Sequence, residues 1–265
     1  MSKKIGIIGA GAWGTALAQT YAAAGNDILL WAREAEVISA INGKNENTVF
    51  LPSIKLHKNI AATGDLAAAT KADIILIVTP AQHVRATLKA LRPDIAPQTP
   101  VIICAKGIEI ATGRLMSHIA AEETPEAAVA VLTGPTFASE IARGLPSAVT
   151  VAAPDKEAAQ KIREALACKT LRPYITDDII GVQIGGAVKN VIAIACGIIM
   201  GKEMGESARA ALMTRGLAEM ARLATVMGGK KETLMGMCGV GDLMLTCTSM
   251  QSRNYSLGVQ IGQGM

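Results

Sequence analysis

Short apolar runs alternate with longer periodic stretches through the first two thirds of the chain. Residues 5–8 form the first run; a glycine-rich hexapeptide follows, and TALAQTYAAAG then carries the alanine-rich pattern of a helix that stops at Gly25. The order repeats, with strands predicted at 28–31, 74–78 and 101–104 and helices at 34–42 and 81–91. Runs at 129–132 and 148–152 extend the sheet, helices at 138–143 and 156–167 intervene, and 171–175 reads as an edge strand. This alternation predicts an α/β fold with a Rossmann-type doubly wound parallel sheet. Beyond residue 177 no strand pattern appears. The stretch 177–201, DDIIGVQIGGAVKNVIAIACGIIMG, reads as one long helix that is apolar on every side and therefore buried, and 207–227 and 231–237 also look helical. The chain thus divides near Thr176 into a dinucleotide-binding domain, 1–176, and an all-helical domain, 177–265, with no internal repeat or low-complexity linker.

The long helix contains Lys189 and Asn190. An unpaired ammonium in such surroundings costs several kcal/mol, so it must meet a partner or a ligand, or lose its proton. A helical side chain lies over the turn before its own Cα, here Gly185 and Gly186, which predicts bare backbone where a small molecule could approach. The alternative is a lysine that snorkels to the rim over glycines kept for packing.

Composition narrows the function. With 265 residues, half of them hydrophobic, the chain can bury a full core. A net charge of +4 carried by dispersed basic residues gives no sign of a nucleic-acid or membrane surface, while small anionic substrates remain open. Five scattered cysteines without a C-x-x-C pair fit reduced thiols and a cytoplasmic protein rather than disulfides or a metal site. The longest uncharged apolar run, 191–201, is too short to span a bilayer, and no signal-peptide region precedes the first strand.

Gly9-Ala10-Gly11-Ala12-Trp13-Gly14 follows a predicted strand and opens a helix, the context in which G-x-G-x-x-G marks a dinucleotide site. Its glycines allow the turn, admit the pyrophosphate and pack helix on strand. Arg33 stands near the end of the second strand, where an NAD enzyme places an acid for the ribose, and an arginine there favours NADP; Glu34 is adjacent, so a slip of one residue would favour NAD. Lys106 follows the 101–104 strand, and Gly134-Pro135-Thr136-Phe137 leads from a strand into a helix whose free N–H groups could hold a phosphate or an amide. Either could equally be a surface lysine or a helix-start turn. With Lys189 they supply two cations and a nest of donors, suited to a phosphorylated ketone or alcohol.

These segments, together with VTPAQ at 78–82, KGIE at 106–109, GPTFASEI at 134–141, GGAVKNVIAIA at 185–195, TRGLAEM at 214–220, GVGDLMLTC at 239–247 and QSRNYSLG at 251–258, resemble in order the signatures of bacterial-type NAD(P)-dependent glycerol-3-phosphate dehydrogenases. The resemblance covers essentially the whole chain. It implies interconversion of dihydroxyacetone phosphate and sn-glycerol 3-phosphate for phospholipid synthesis, with a helical domain of the 6-phosphogluconate dehydrogenase type, a cofactor of NADP or NAD, no metal, and a homodimer. By motif, Lys189 and Lys106 match the family's active-site lysines. Asp242, Ser252, Arg253 and Asn254, with Gly134 and Thr136, match substrate-side groups, and Gly9, Gly11, Ala12, Trp13, Gly14, Arg33, Lys106, Ala138 and Arg253 match cofactor contacts. Two departures stand out: Gly205-Glu206-Ser207 replaces an Asp-Asn pair, which leaves Glu206 without an assigned role, and the family continues past the GQG at 262–264 into a segment expected to close the cofactor site. The rivals are a 3-hydroxy-acid dehydrogenase of the same plan and a catalytically silent nucleotide-binding regulator.

Ketone reduction needs an acid within reach of the carbonyl. Lys189 suits this, because burial and a neighbouring Lys106 both lower its pKa toward the working pH. Asn190 and Asp242 are expected to orient the amine or hold substrate hydroxyls, and Arg253 with Asn254 to clamp the phosphate through a bidentate fork.

Overall fold

The computed structural model describes residues 2–265. Its first 176 residues run β1 (Lys4–Ile8), α1 (Ala12–Ala23), β2 (Asp27–Trp31), α2 (Ala35–Lys44), β3 (Ile60–Thr63), α3 (Leu66–Thr70), β4 (Ile74–Ile77), α4 (Val84–Leu91), β5 (Pro100–Ile103), α5 (Met116–Glu123), β6 (Ala128–Thr133), α6 (Ala138–Ala142), β7 (Ser147–Ala152), α7 (Lys156–Leu166) and β8 (Leu171–Thr176). The strands form one eight-stranded sheet in the order β3-β2-β1-β4-β5-β6-β7-β8. Helices cover both faces, so central strands such as β4 are buried along their whole length and read as unbroken apolar runs. The order reverses between β1 and β4, which opens the crevice where a doubly wound sheet binds its ligand.

Two features of this half differ from the sequence reading. β3, α3 and α5 are absent from the sequence reading; for β3 and α3 the reason is that IAAT and LAAAT are short and built from small residues whose periodicity is weak. β7 runs antiparallel to β6, with Val131 opposite Ala152. The connection between them, residues 134–146, holds the five-residue α6, which packs on α1, and the chain returns beside β6 in the opposite direction.

The remaining residues are helical: α8 (Ile179–Gly201), α9 (Glu206–Val226), a 3-10 turn at Lys231–Met235, a π-helical turn at Met237–Gly241, α10 (Asp242–Thr248) and α11 (Arg253–Gly262). The predicted helix at 231–237 breaks at Gly236, and α11 was not foreseen. α8 starts where Asp178 caps it, one carboxylate oxygen accepting from Gly181 N at 2.8 Å and the other from Lys230 N at 2.8 Å. Burial on every side does not hold: residues 181–186 are buried, but beyond Lys189 one flank faces outward, with Val191 69% exposed. At 23 residues α8 is long and apolar enough to cross a membrane by length and composition, unlike the 11-residue run weighed from sequence; in the structure α9, α10 and α11 pack on it as on a core helix. α8 and α11 meet backbone to backbone. A Cβ on Gly197 would lie 2.1 Å from Tyr255 O, and one on Gly258 would lie 2.1 Å from Ile194 O.

Candidate active site

The ends of β1, β4, β5 and β6 come together along one edge of the sheet. After β1, Gly9 adopts φ 120 and donates to Trp31 O at 3.1 Å; a Cβ there would stand 3.0 Å from Thr79 N, so the turn lies against the end of β4. A Cβ on Gly14 would fall 1.9 Å from Gly9 O, which only glycine avoids. Around Gly11 the position of a Cβ is open for 4 Å, the clearance that a pyrophosphate needs to reach backbone. No side chain caps α1, so its first N–H groups face the same opening. Beside this turn the buried Thr79 hydroxyl has no hydrogen-bond partner among the described residues. The cradle therefore fits a dinucleotide. It is braced by a residue that the sequence did not reveal: fully buried Asn47 donates to Ala10 O (2.8 Å) and Thr15 Oγ1 (2.7 Å) and accepts from Phe50 N (3.0 Å). Trp13 packs half-buried on the adjoining core, and Arg33 projects into solvent beyond β2, ion-paired with Glu34 at 3.1 Å.

The chemistry gathers where β5 and β6 face α8 and α10. Lys106, three residues past β5, donates to Asp242 Oδ2 at 2.6 Å and to Gly134 O at 3.2 Å. Lys189 donates to the other oxygen of the same carboxylate and to Thr246 Oγ1 at 3.0 Å. Thr246 in turn donates to the Asp242 carbonyl at 2.6 Å, so one helical turn of α10 fixes both partners of Lys189. Asp242 is 1% exposed and the Lys189 side chain 8%, whereas Lys106 retains 25% and forms the open side of the cluster. Burial pushes the Lys189 amine down, Lys106 pushes it further, and Asp242 opposes both; the pKa comes to about 7.

Glycines explain how two lysines come so close. The space before Lys189 was expected to be bare, yet a Cβ on Gly186 would lie 3.3 Å from Lys106 Cγ and Cδ, and one on Gly185 would lie 2.3 Å from Cys238 O. Protein, rather than a small molecule, fills that space: the Lys106 stem lies over Gly186, and the π-helical turn leading to Asp242 seats on Gly185. Gly134 is required because Val149 Cα would stand 2.8 Å from its Cβ. Asn190 was expected to orient the amine or to hold substrate hydroxyls; the partners of the amine are Asp242 and Thr246 instead, and Thr246 carried no signal beyond lying one turn past Asp242.

The other expected residues surround this cluster. Thr136 is half-buried and Ala138 opens α6; Gln251 donates to Glu140 at 3.3 Å, joining α6 to the QSRN segment. Ser252 caps α11, accepting from Tyr255 N at 3.3 Å, which places Arg253 exposed and Asn254 half-buried in its first turn. Glu206 lies in the first turn of α9 paired with Arg209, whose guanidinium also donates to the Tyr255 hydroxyl at 3.2 Å, so it braces α9 against α11 instead of joining the lysine cluster.

Comparison with known proteins gives the family. Residues 4–159 match the family model described as the N-terminus of NAD-dependent glycerol-3-phosphate dehydrogenase, and 178–265 match its C-terminus. The NAD(P)+ glycerol-3-phosphate dehydrogenase of Parvibaculum lavamentivorans is 56% identical over 99% of this chain and 79% of its own length, and that of Caulobacter vibrioides 53% identical over 99% and 80%. Among solved structures, glycerol-3-phosphate dehydrogenase from Coxiella burnetii superposes with a TM-score of 0.95 at 40% identity, covering all of this chain and 81% of that one. The yeast enzyme superposes with 0.85 at 26%, covering 99% and 82%. The chain belongs to the NAD-dependent glycerol-3-phosphate dehydrogenase family.

Proposed function

We propose that the chain interconverts dihydroxyacetone phosphate and sn-glycerol 3-phosphate with NAD(P)H, residues 1–176 holding the cofactor and 177–265 the substrate. The observation that supports this best is the Lys106–Asp242–Lys189 cluster at the ligand edge of the sheet. With Lys189 protonated, two ammonium groups share one carboxylate, and the site then carries an excess of positive charge that suits an anionic ketone. A nicotinamide dinucleotide bound at Gly9–Gly14 supplies the hydride chemistry at carbon. The protein handles the proton. Lys189 gives it to the carbonyl oxygen in reduction and takes it back in oxidation, with a pKa of about 7 that serves both directions. Asp242 and Thr246 hold the amine in one orientation, and loss of its proton relieves repulsion from Lys106. Arg253 and Asn254 clamp the substrate phosphate.

The finer assignments extend this reading. Arg33, exposed at the end of β2, favours NADPH over NADH. Five free thiols suit a reducing, cytoplasmic compartment, where the product feeds phospholipid synthesis. A homodimer rests on the resemblance and is checked by sedimentation. The decisive assay follows NADH and NADPH oxidation with dihydroxyacetone phosphate. Turnover should depend on the phosphorylated ketone and be weak with unphosphorylated dihydroxyacetone. Arg33→Asp should raise the KM for NADPH roughly tenfold or more with little change for NADH; equal effects on both would remove Arg33 from cofactor choice.

A further inference from the structure

The loop carrying Lys106 is fastened from outside the catalytic cluster. Gln82, in the segment after β4, uses both ends of its amide on it: Nε2 donates to Ile108 O at 2.8 Å, and Oε1 accepts from Ile110 N at 3.0 Å. One turn further, Arg85 grips Glu109 with a bidentate fork, both contacts at 2.9 Å. Glu109 is only 7% exposed, and its second oxygen also accepts from Thr112 at 2.5 Å. The remaining nitrogen of Arg85 reaches Glu122 (2.9 Å) and Glu123 (2.6 Å) on α5, so the fork itself is held. Between these contacts Gly107, with φ 150, lets the backbones close up; a Cβ there would lie 2.7 Å from Ala81 Cβ. The same segment begins at Thr79, which abuts Gly9 of the dinucleotide turn.

We propose that Gln82, Arg85 and Glu109 are positioning residues that stitch the Lys106 loop to the cofactor-side segment and hold the Lys106 amine on Asp242. None touches the reacting atoms. Two anchors, one amide pair and one guanidinium fork, fix the loop at Ile108–Ile110, immediately beyond Lys106, so it cannot swing without breaking charge-assisted bonds. The inference rests on the reading of Lys189 as the proton-transferring group, whose neighbours report on it. The charged groups facing Lys189 are Lys106 from the β5 loop and Asp242 from α10; the thiol of Cys247 on α10 lies nearby, and α9 and α11 bring no hydrogen-bonding partner to its amine among the described residues.

The test is the pH dependence of kcat/KM for glycerol 3-phosphate oxidation in the full chain, for wild type, Glu109→Gln and Arg85→Lys, with Lys106→Met as reference. Wild type should rise through a midpoint near about 7. Removing the Lys106 charge should move that midpoint up by about one unit, and the two stitch variants should move it part of the way. Their kcat should fall by about ten- to a hundredfold while the KM for the dinucleotide stays within about twofold. A folded variant that keeps the wild-type kcat, or loses activity with an unmoved midpoint, overturns the proposal. If Glu109→Gln fails to fold, Arg85→Lys decides; if neither folds, the pair serves the fold alone and the proposal falls. Failure of the underlying reading shows separately, as turnover and an inflection that persist in Lys189→Met.

Discussion

Burial and two neighbours disagree about the charge of Lys189. Burial and Lys106 favour the neutral amine, Asp242 favours the ammonium, and the compromise near pH 7 suits the donor and acceptor role proposed for it. The sign of the pH dependence follows. Ketone reduction needs the protonated form, so kcat/KM for dihydroxyacetone phosphate should be level below about pH 7 and decline above it; glycerol 3-phosphate oxidation should do the reverse. Parallel profiles in the two directions would exclude Lys189 as the titrating group. Arg253 presents a different test, since its exposed guanidinium is assigned to the substrate phosphate. Arg253→Ala should weaken dihydroxyacetone phosphate by roughly ten- to a hundredfold, and Lys should restore only part, having the charge without the fork. An equal loss toward unphosphorylated dihydroxyacetone would place Arg253 in the fold or the cofactor site. Both lysines were legible as residues, because a charge in an apolar helix and a lysine at a strand end are conspicuous in sequence. Asn47 and Thr246 were not, because a buried amide in a loop and a threonine in a helix show their partners only in three dimensions.

Glycine sets how closely the helices pack. On α8, Gly185 and Gly186 admit Cys238 O and the Lys106 stem, and one helical stretch further Gly197 and Gly201 admit α11 at Gly258 and Gly262. The strand–helix alternation was readable because buried parallel strands are short apolar runs between helices. α11 was obscured by the glycines that let it dock, since glycine lowers the helical signal by about 1 kcal/mol per residue. Gly258→Ala should therefore lower Tm by roughly 5 °C or more, since its Cβ would press into Ile194 O at 2.1 Å. Gly43→Ala on α2, where a Cβ meets nothing within 4 Å, should leave Tm unchanged or raise it slightly. Equal behaviour of the two variants in thermal unfolding would show that the α8–α11 seam adjusts without cost.

In the whole molecule the two halves share one task. The sheet provides the glycine turn, the Lys106 loop and Gly134; the helices provide Lys189, Asp242, Thr246 and Arg253; and both lysines converge on the Asp242 carboxylate. Motif order in the sequence pointed to these parts, but did not show that the spaces beside Gly185 and Gly186 are filled by protein, or that Gln82 and Arg85 bond to the Lys106 loop. The central claim is that Lys189 moves the proton. It is tested most directly by the rate of dihydroxyacetone phosphate-dependent NADPH oxidation by Lys189→Met, with NADPH affinity measured on the same protein. Turnover should drop by about two orders of magnitude or more while NADPH affinity stays within about twofold; a variant that keeps a tenth or more of wild-type turnover, roughly 1.4 kcal/mol of barrier at most, would contradict the account.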